Sequence, residues 1–369
     1  MGSFSGFASG LGIGTVFVTI AIAAFTSSMV VRVVLLKART LGLIDVPNAR
    51  SSHRTPTPRG GGLGVLAGVL VAVAVLGILA PGAVSENVLV VLTCSVVIGI
   101  VGFIDDRSGL SAGLRLGLHV GAASVLVWGV GPLLTLPLPD PLGVSLGHGW
   151  IPNALTVLWV VAVTNFFNFM DGVDGLAAGQ AVASCVGVVL AGVSSDAVGI
   201  AAAVGGASAG FLFHNWPPAR IFMGDVGSGS IGFVLGGLPL LAPPSKRSAA
   251  VLMIAVSLTF FILDPIVTLV RRALRGEALM KAHREHLYQR LIPTGTSGRA
   301  VTTFLLAAAA VLSALGAWAY RRAGMRWFAI CMSIVLFSIE FGCASRAQGV
   351  TAGANRRIQD RGEKERDGR

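Results

Sequence analysis

Charge is what this sequence has least of: only 12% of its 369 residues are Asp, Glu, Lys or Arg, where a soluble domain carries about 25%. That shortage, beside 54% hydrophobic residues, excludes a water-soluble globular chain. Acidic residues are the scarcer sign, 17 against 28 Lys and Arg, so a carboxylate in an apolar setting needs a reason. Only four cysteines occur, Cys94, Cys185, Cys331 and Cys343, each alone inside an apolar run. They offer no CxxC or Cys/His spacing for zinc or redox chemistry and read as small packing residues. No Lys or Arg precedes Arg32, so the first apolar run lacks the basic start of a cleavable signal and reads as a retained helix.

What the sequence has in abundance is apolar stretches of membrane-spanning length, about 20 residues each. They fall near 11–36, 62–81, 87–104, 115–133, 152–167, 176–193, 196–213, 229–243, 248–270, 300–319 and 327–345. The pattern predicts an all-α polytopic membrane protein of ten or eleven spans, with residues 1–345 as a single membrane domain. The stretch at 229–243 is short, and 176–213 divides in more than one way. From about 346 the chain is polar and of mixed charge, which predicts a disordered tail over 346–369.

Orientation follows from the basic residues, which cytoplasmic loops retain. With the N-terminus outside, all but five of the 28 Lys and Arg lie on the cytoplasmic side, the exceptions being Lys246, Arg247, Arg321, Arg322 and Arg326. The N-terminus is therefore expected outside and the C-terminus inside. The net charge of +11 reflects this topology, with affinity for anionic headgroups and substrates, and calls for no nucleic acid.

With that topology, the chemically informative segments all fall on the cytoplasmic side. They are "NARSSHRTPTPRGGGLG" (48–64), "GFIDDRSGL" (102–110), "NFFNFMDGVDGLAAG" (165–179), "HNWPPARIFMGDVGSGS" (214–230) and "KAHREHLYQR" (281–290). They gather Asp105, Asp106, Asp171, Asp174 and Asp225 at one membrane face. Crowded carboxylates repel one another and take up protons unless a cation sits among them. Oxygen ligands without cysteine favour magnesium, or manganese, over zinc. Taken singly, each aspartate could instead cap a helix or pair with an Arg; Asp105 and Asp106 could cap the fourth span, with Arg107 and Arg115 nearby. The tight glycine-rich loops around the whole set favour a site.

The neighbours of the acids suggest phosphate. "PRGGGLG" and "GDVGSGS" put glycines at predicted helix starts, where free backbone N–H groups favour an anion. Arg54 and Arg59 flank the first loop and Arg220 precedes the second. His283 and His286 are three residues apart, on one face if 277–292 is an amphipathic helix, with Arg284 and Arg290 beside them. Asn165, Asn168, Asp171 and Asp174 recur every third residue and would line one side of a helix end. Asp264, within the ninth stretch, is either functional or paired with a neighbouring helix.

These segments, with "FILDPIVTLVRR" (261–272), resemble the polyprenyl-phosphate N-acetylhexosamine-1-phosphate transferases over residues 30–345. The form "HREHLYQR" is more similar to the O-antigen-initiating branch than to the related phospho-MurNAc-pentapeptide translocases. The resemblance implies transfer of a HexNAc-1-phosphate from a UDP-N-acetylhexosamine to undecaprenyl phosphate, with release of UMP, at the inner face of a bacterial cytoplasmic membrane. It also implies Asp225 as a magnesium ligand and places the tandem Asp105 and Asp106 at the lipid phosphate, as positioning groups, as base or as a covalent intermediate. Asn165, Asn168, Asp171 and Asp174 would contact nucleotide or metal, Asp171 being a second metal ligand. His283, Arg284 and His286 would lie near the diphosphate or sugar. The sugar (GlcNAc, GalNAc, FucNAc or QuiNAc) and the oligomeric state, a homodimer included, stay open. A transporter is the rival class, but its acids would sit near the bilayer midplane rather than in loops at one face.

Overall fold

The computed structural model describes residues 11–47, 55–278, 285–292 and 297–367. Its helices in chain order are α1 (Ile13–Lys37), α2 (Gly62–Leu79), α3 (Glu86–Ser108), α4 (Ala112–Val130), α5 (Trp150–Phe169), α6 (Leu176–Ala191) and α7 (Ser195–Asn215). After them come α8 (Asp225–Gly237), α9 (Arg247–Ser257), α10 (Thr259–Leu274), α11 (Leu287–Leu291), α12 (Gly298–Arg321) and α13 (Arg326–Asp367). A two-stranded ribbon, β1 (Ile44–Asp45) with β2 (Thr57–Pro58), joins α1 to α2. Serines mark several starts: the hydroxyls of Ser85, Ser111, Ser194 and Ser297 accept from amides three residues on, satisfying donors a helix leaves open.

Among the described residues eight helices are long and apolar enough to cross a membrane: α1 to α5, α7, α12 and the stretch Ala323–Arg346, which runs into α13. Large apolar side chains such as Phe17, Phe25, Trp128 and Phe213 are exposed on them, as expected of surfaces that face lipid. The rest of the predicted spans are shorter or broken. α6 is a shorter apolar helix, and Asp225–Leu241 turns by 115° into Pro244–Ser257. The run 248–270, read from sequence as one span, is two helices that meet at Leu258. At this break a polar cluster binds the backbone: Gln180 donates to the Ser257 carbonyl at 3.0 Å, and the hydroxyls of Ser184, Ser257 and Ser313 link at 2.7 Å each. Helices interrupted inside a membrane require such partners. Beyond Arg346, where composition predicts disorder, the backbone is helical to Asp367.

α8 is the axis of the bundle. Every residue from Val226 to Gly237 is buried, and α3 and α5 pack along it. Lipid offers no hydrophobic drive between helices, so close backbone approach at small residues supplies the packing. A Cβ on Gly102 of α3 would fall on the backbone of Asp225, and one on Gly62 of α2 on the backbone of Gly227. These contacts bring the ends of α2, α3 and α8 to one point.

Candidate active site

At that point five polar side chains converge from four helices. Asp105 and Asp106 occupy the last turn of α3, so neither caps α4, whose N-cap is Ser111. Arg115, one turn into α4, lies 2.5 Å from Asp105 Oδ2 and 3.2 Å from Asp225 Oδ2. The other oxygen of Asp105 accepts from the Leu110 amide at 2.5 Å, folding the α3–α4 turn back onto it. On the opposite side Asn168 of α5 donates to Asp225 Oδ1 at 3.0 Å and to Ser228 Oγ at 2.9 Å. Asp225 is thus held from both sides at the first turn of α8.

Asp106 plays a different part. It is 9% exposed, and its Oδ2 accepts from the Val226 amide at 3.5 Å. It therefore sits on the N-terminus of α8, where the partial positive charge of the helix end favours a carboxylate. Gly224, at φ 74°, turns the chain just before α8, and a Cβ there would meet Asp106. Arg59 donates to the Asp106 backbone carbonyl and lies 3.8 Å from its Oδ1.

The glycine-rich loop does not present free amides as expected. Gly61 N–H donates to Phe222 O at 2.9 Å and Gly62 N–H to Met223 O at 2.8 Å, while Phe222 N–H donates to Pro58 O at 2.9 Å. These glycines let two loops pair backbone to backbone. The anion at the α8 N-terminus is the protein's own Asp106. The phosphate cradle inferred for these loops gives way to a structural joint that fixes Arg59 beside Asp106.

The run from Asn165 to Asp174 divides likewise. α5 ends at Phe169, so only Asn165 and Asn168 are helical, and Asp171 and Asp174 lie in the following turn. Asp174 Oδ2 accepts from the Ala219 amide at 2.9 Å and its backbone carbonyl from Thr302 Oγ1 at 2.8 Å, a pattern that fixes the loop before α8. Asp171 lies within reach of the cluster's charge: its carboxyl is pushed well above the ordinary carboxylate range, first by burial and then by the charges of Asp225, Asp106 and Asp174. Asn165 donates to Val161 O at 2.7 Å. Arg220 is exposed, with its backbone amide on His214 O at 2.9 Å.

Arg54, His283 and Arg284 lie outside the described residues. His286 is described and is not helical: at φ −61° and ψ 146° it is the N-cap of α11. Its Nδ1 lies 3.2 Å from Asp264 Oδ1, and its ring stacks on Tyr288 at 5.9 Å. Asp264, fully buried, also accepts from the amides of Leu287 at 2.9 Å and Tyr288 at 3.3 Å and from Thr268 Oγ1 at 3.0 Å. It is therefore the anchor of this segment rather than a solvent-facing group. Tyr288 donates to Phe169 O at 3.2 Å, and its hydroxyl fills the space where Gly172 has no side chain. This contact seats His286 and Tyr288 against the Asp171 turn.

Among the described residues no three His, Cys, Asp or Glu side chains form a ready metal shell. The donor chemistry nevertheless fits a hard divalent cation. Carboxylate oxygens from Asp225 and Asp171 face one another's charge with Asp106 nearby, and a cation relieves such crowding. Arg115 already neutralises part of it.

Sequence inspection found the aspartates but not their partners. In the sequence Arg115 reads only as a neighbour of a cap, and nothing there marks His119, Tyr288 or Glu340 as partners of the site. His119 lines the same cleft as Asp225 and Asn168. Glu340 is fully buried on α13, near enough to Asp264 to feel its charge. Each of the ionisable residues, Arg115, His119 and Glu340, breaks an apolar run, and that was the signal available.

A family model described as glycosyl transferase family 4 matches residues 88–242, which include Asp105, Asp106, Asn168, Asp171 and Asp225. A probable undecaprenyl-phosphate N-acetylglucosaminyl 1-phosphate transferase of Bacillus subtilis is 33% identical over 266 residues, 70% of this chain and 72% of its own. The decaprenyl-phosphate N-acetylglucosaminephosphotransferase of Mycobacterium tuberculosis is 33% identical over 300 residues, 73% of each chain. The undecaprenyl-phosphate alpha-N-acetylglucosaminyl 1-phosphate transferase of Escherichia coli is 27% identical over 327 residues, 84% of this chain and 86% of its own. With its carboxylates gathered at one end of a helical membrane bundle, the chain belongs to the polyprenyl-phosphate N-acetylhexosamine-1-phosphate transferases of glycosyl transferase family 4, and it is a phosphotransferase.

Proposed function

We propose that the protein transfers N-acetylglucosamine 1-phosphate from UDP-GlcNAc to undecaprenyl phosphate, releasing UMP, as the first membrane step of a surface glycan such as O-antigen. An oxygen of the lipid phosphate bonds to the β-phosphorus as the bond from that phosphorus to the UMP oxygen breaks. The observation that carries this reading is the cluster of Asp105, Asp106, Asn168 and Asp225 around Arg115 at the ends of α3 and α8. The names of the relatives favour GlcNAc among the candidate sugars.

Phosphoryl transfer demands positioning and charge neutralisation more than covalent participation. Arg115 and Arg59 supply fixed cationic charge at the cluster, and Arg220 is exposed in the loop that leads into α8. Asp225 and Asp171 would hold magnesium, which supplies neutralisation of phosphate charge when bound. Asp105 is tied to Arg115 and Asp106 to the α8 N-terminus, which suits positioning better than proton abstraction; the lipid phosphate, with a second pKa near 6, needs little help to ionise. His286, held by Asp264, lies on the Asp171 side of the cluster, where it would reach the diphosphate. The excess of Lys and Arg on the same side supports a cytoplasmic site at the inner membrane.

The test is product release from purified protein given undecaprenyl phosphate, magnesium and a panel of UDP-N-acetylhexosamines, with Asp225→Ala as control. UMP is expected with UDP-GlcNAc and not from the control. UDP in place of UMP would overturn the phosphosugar chemistry, and UMP with another sugar alone would overturn the choice of GlcNAc.

A further inference from the structure

α4 is an edge helix of the bundle. It packs on α3 and α5, while Leu114, Leu116, Leu118 and Val120 are exposed on it, facing lipid. Its inward face carries Arg115 and, one turn on, His119, about 6 Å further along the axis from the Asp105–Asp225 bridge. Here Arg115, His119, Asn165, Asn168, Asp225 and Gly102 line a cavity of about 20 Å³, room for one water or one oxygen-sized group.

His119 is 9% exposed and lines this cavity. Its Nδ1 is closed off from water with no hydrogen-bond partner among the described residues, so Nε2 is the ring nitrogen that can meet a group in the cavity. Beside it, the Asn165 amide nitrogen is committed to Val161 O at 2.7 Å. A ring N–H at such a cavity is a donor open to a bound oxygen.

We infer that His119 is a contact for a phosphate oxygen of the lipid acceptor, made directly or through the one water that the cavity holds. Size excludes a sugar or a nucleobase from the cavity. Phosphate oxygens come from two sources, the donor diphosphate and the lipid monophosphate. Position favours the second: His119 lies one turn beyond Arg115 along α4, toward the middle of that span, on an edge helix that a lipid-borne group can reach from the bilayer. Asp105 and Arg115 then flank the same phosphate from the aqueous side. The inference rests on the phosphotransfer reading above.

Steady-state kinetics on full-length protein, with undecaprenyl phosphate and UDP-GlcNAc varied separately, test it. His119→Ala is expected to raise the KM for the lipid phosphate about tenfold, the effect of one lost hydrogen bond to a charged group, with the KM for UDP-GlcNAc unchanged. His119→Leu, which fills the same space without a polar atom, is expected to raise the lipid-phosphate KM likewise and carries the measurement if the alanine variant does not fold, whereas His119→Gln, which keeps a polar group at this depth, is expected to recover most of the loss. An unchanged acceptor KM, or a raised donor KM, overturns the assignment. Wild-type protein that releases no UMP would sink the phosphotransfer reading itself, whereas active wild type with an indifferent His119→Ala sinks only this inference.

Discussion

Arg115 holds two carboxylates with one guanidinium, and its side chain and that of Asp225 stay about one-third exposed, at 34% and 32%. Such a pair contributes little to stability, within about 1 kcal/mol, so its worth is in aligning charge. Arg115→Ala is expected to lower kcat/KM about 100-fold, with a modest drop in melting temperature because Asp105, whose side chain is 9% exposed, loses its cationic partner. Arg115→Lys should recover only part of the activity, because a point charge cannot bridge Asp105 and Asp225 as a planar fork does. UMP release and thermal melts of the same preparations separate the two effects. Asp264 is the opposite case. It is fully buried and accepts from Thr268, Leu287 and Tyr288 beside His286. Asp264→Ala leaves these donors unpaired and is expected to cost about 3–5 kcal/mol, seen as a lower melting temperature together with lost turnover. A melt like that of the wild type would overturn its role as anchor.

Elements meet in this protein where side chains are absent. The α3–α8 joint needs Gly102 because the backbone of Asp225 occupies the place of its Cβ. No flexible side chain can yield there, so Gly102→Ala should destabilise by about 1–3 kcal/mol and displace Asp225 from Arg115, abolishing transfer. Gly113→Ala is the control. Nothing lies within 4 Å of a Cβ at Gly113 of α4, and alanine there should be neutral or stabilising by up to about 1 kcal/mol. Equal melting temperatures for the two variants would refute the close-packing account. At the break between α9 and α10 Gln180 donates to the Ser257 carbonyl, a backbone acceptor that a continuous helix would have satisfied itself, and the hydroxyls of Ser184, Ser257 and Ser313 tie α6, α9 and α12 together there.

At the scale of the molecule, the cluster of charge at one end of an apolar bundle fits an enzyme that takes one substrate from water and the other from lipid. That arrangement has a testable orientation. In protein whose natural cysteines are replaced by alanine, Ser145→Cys in the α4–α5 loop should react with an impermeant maleimide on intact cells. Ser108→Cys, exposed beside Asp105 and Asp106, should react only after the membrane is opened. The reverse pattern would overturn the orientation drawn from the Lys and Arg distribution, and with it a cytoplasmic site.

The sequence by itself determined the membrane class, the helical architecture and the five aspartates, because apolar run length and a carboxylate out of place are local properties that composition cannot hide. Glycine-rich turns marked the starts of α2 and α8 for the same reason, whereas the cap of α4 is Ser111 and not the aspartates expected there. What only the tertiary structure decided is partnership. The amides of Gly61 and Gly62 are spent on Phe222 and Met223, Asp174 is spent on Ala219, and Asp106 caps a helix 119 residues later in the chain. His119 becomes part of the site only because α4 and α5 lie side by side. Residue spacing along one chain carries no record of which distant backbone will consume a hydrogen bond, and that consumption separates the structural polar groups of this protein from those left to meet a substrate.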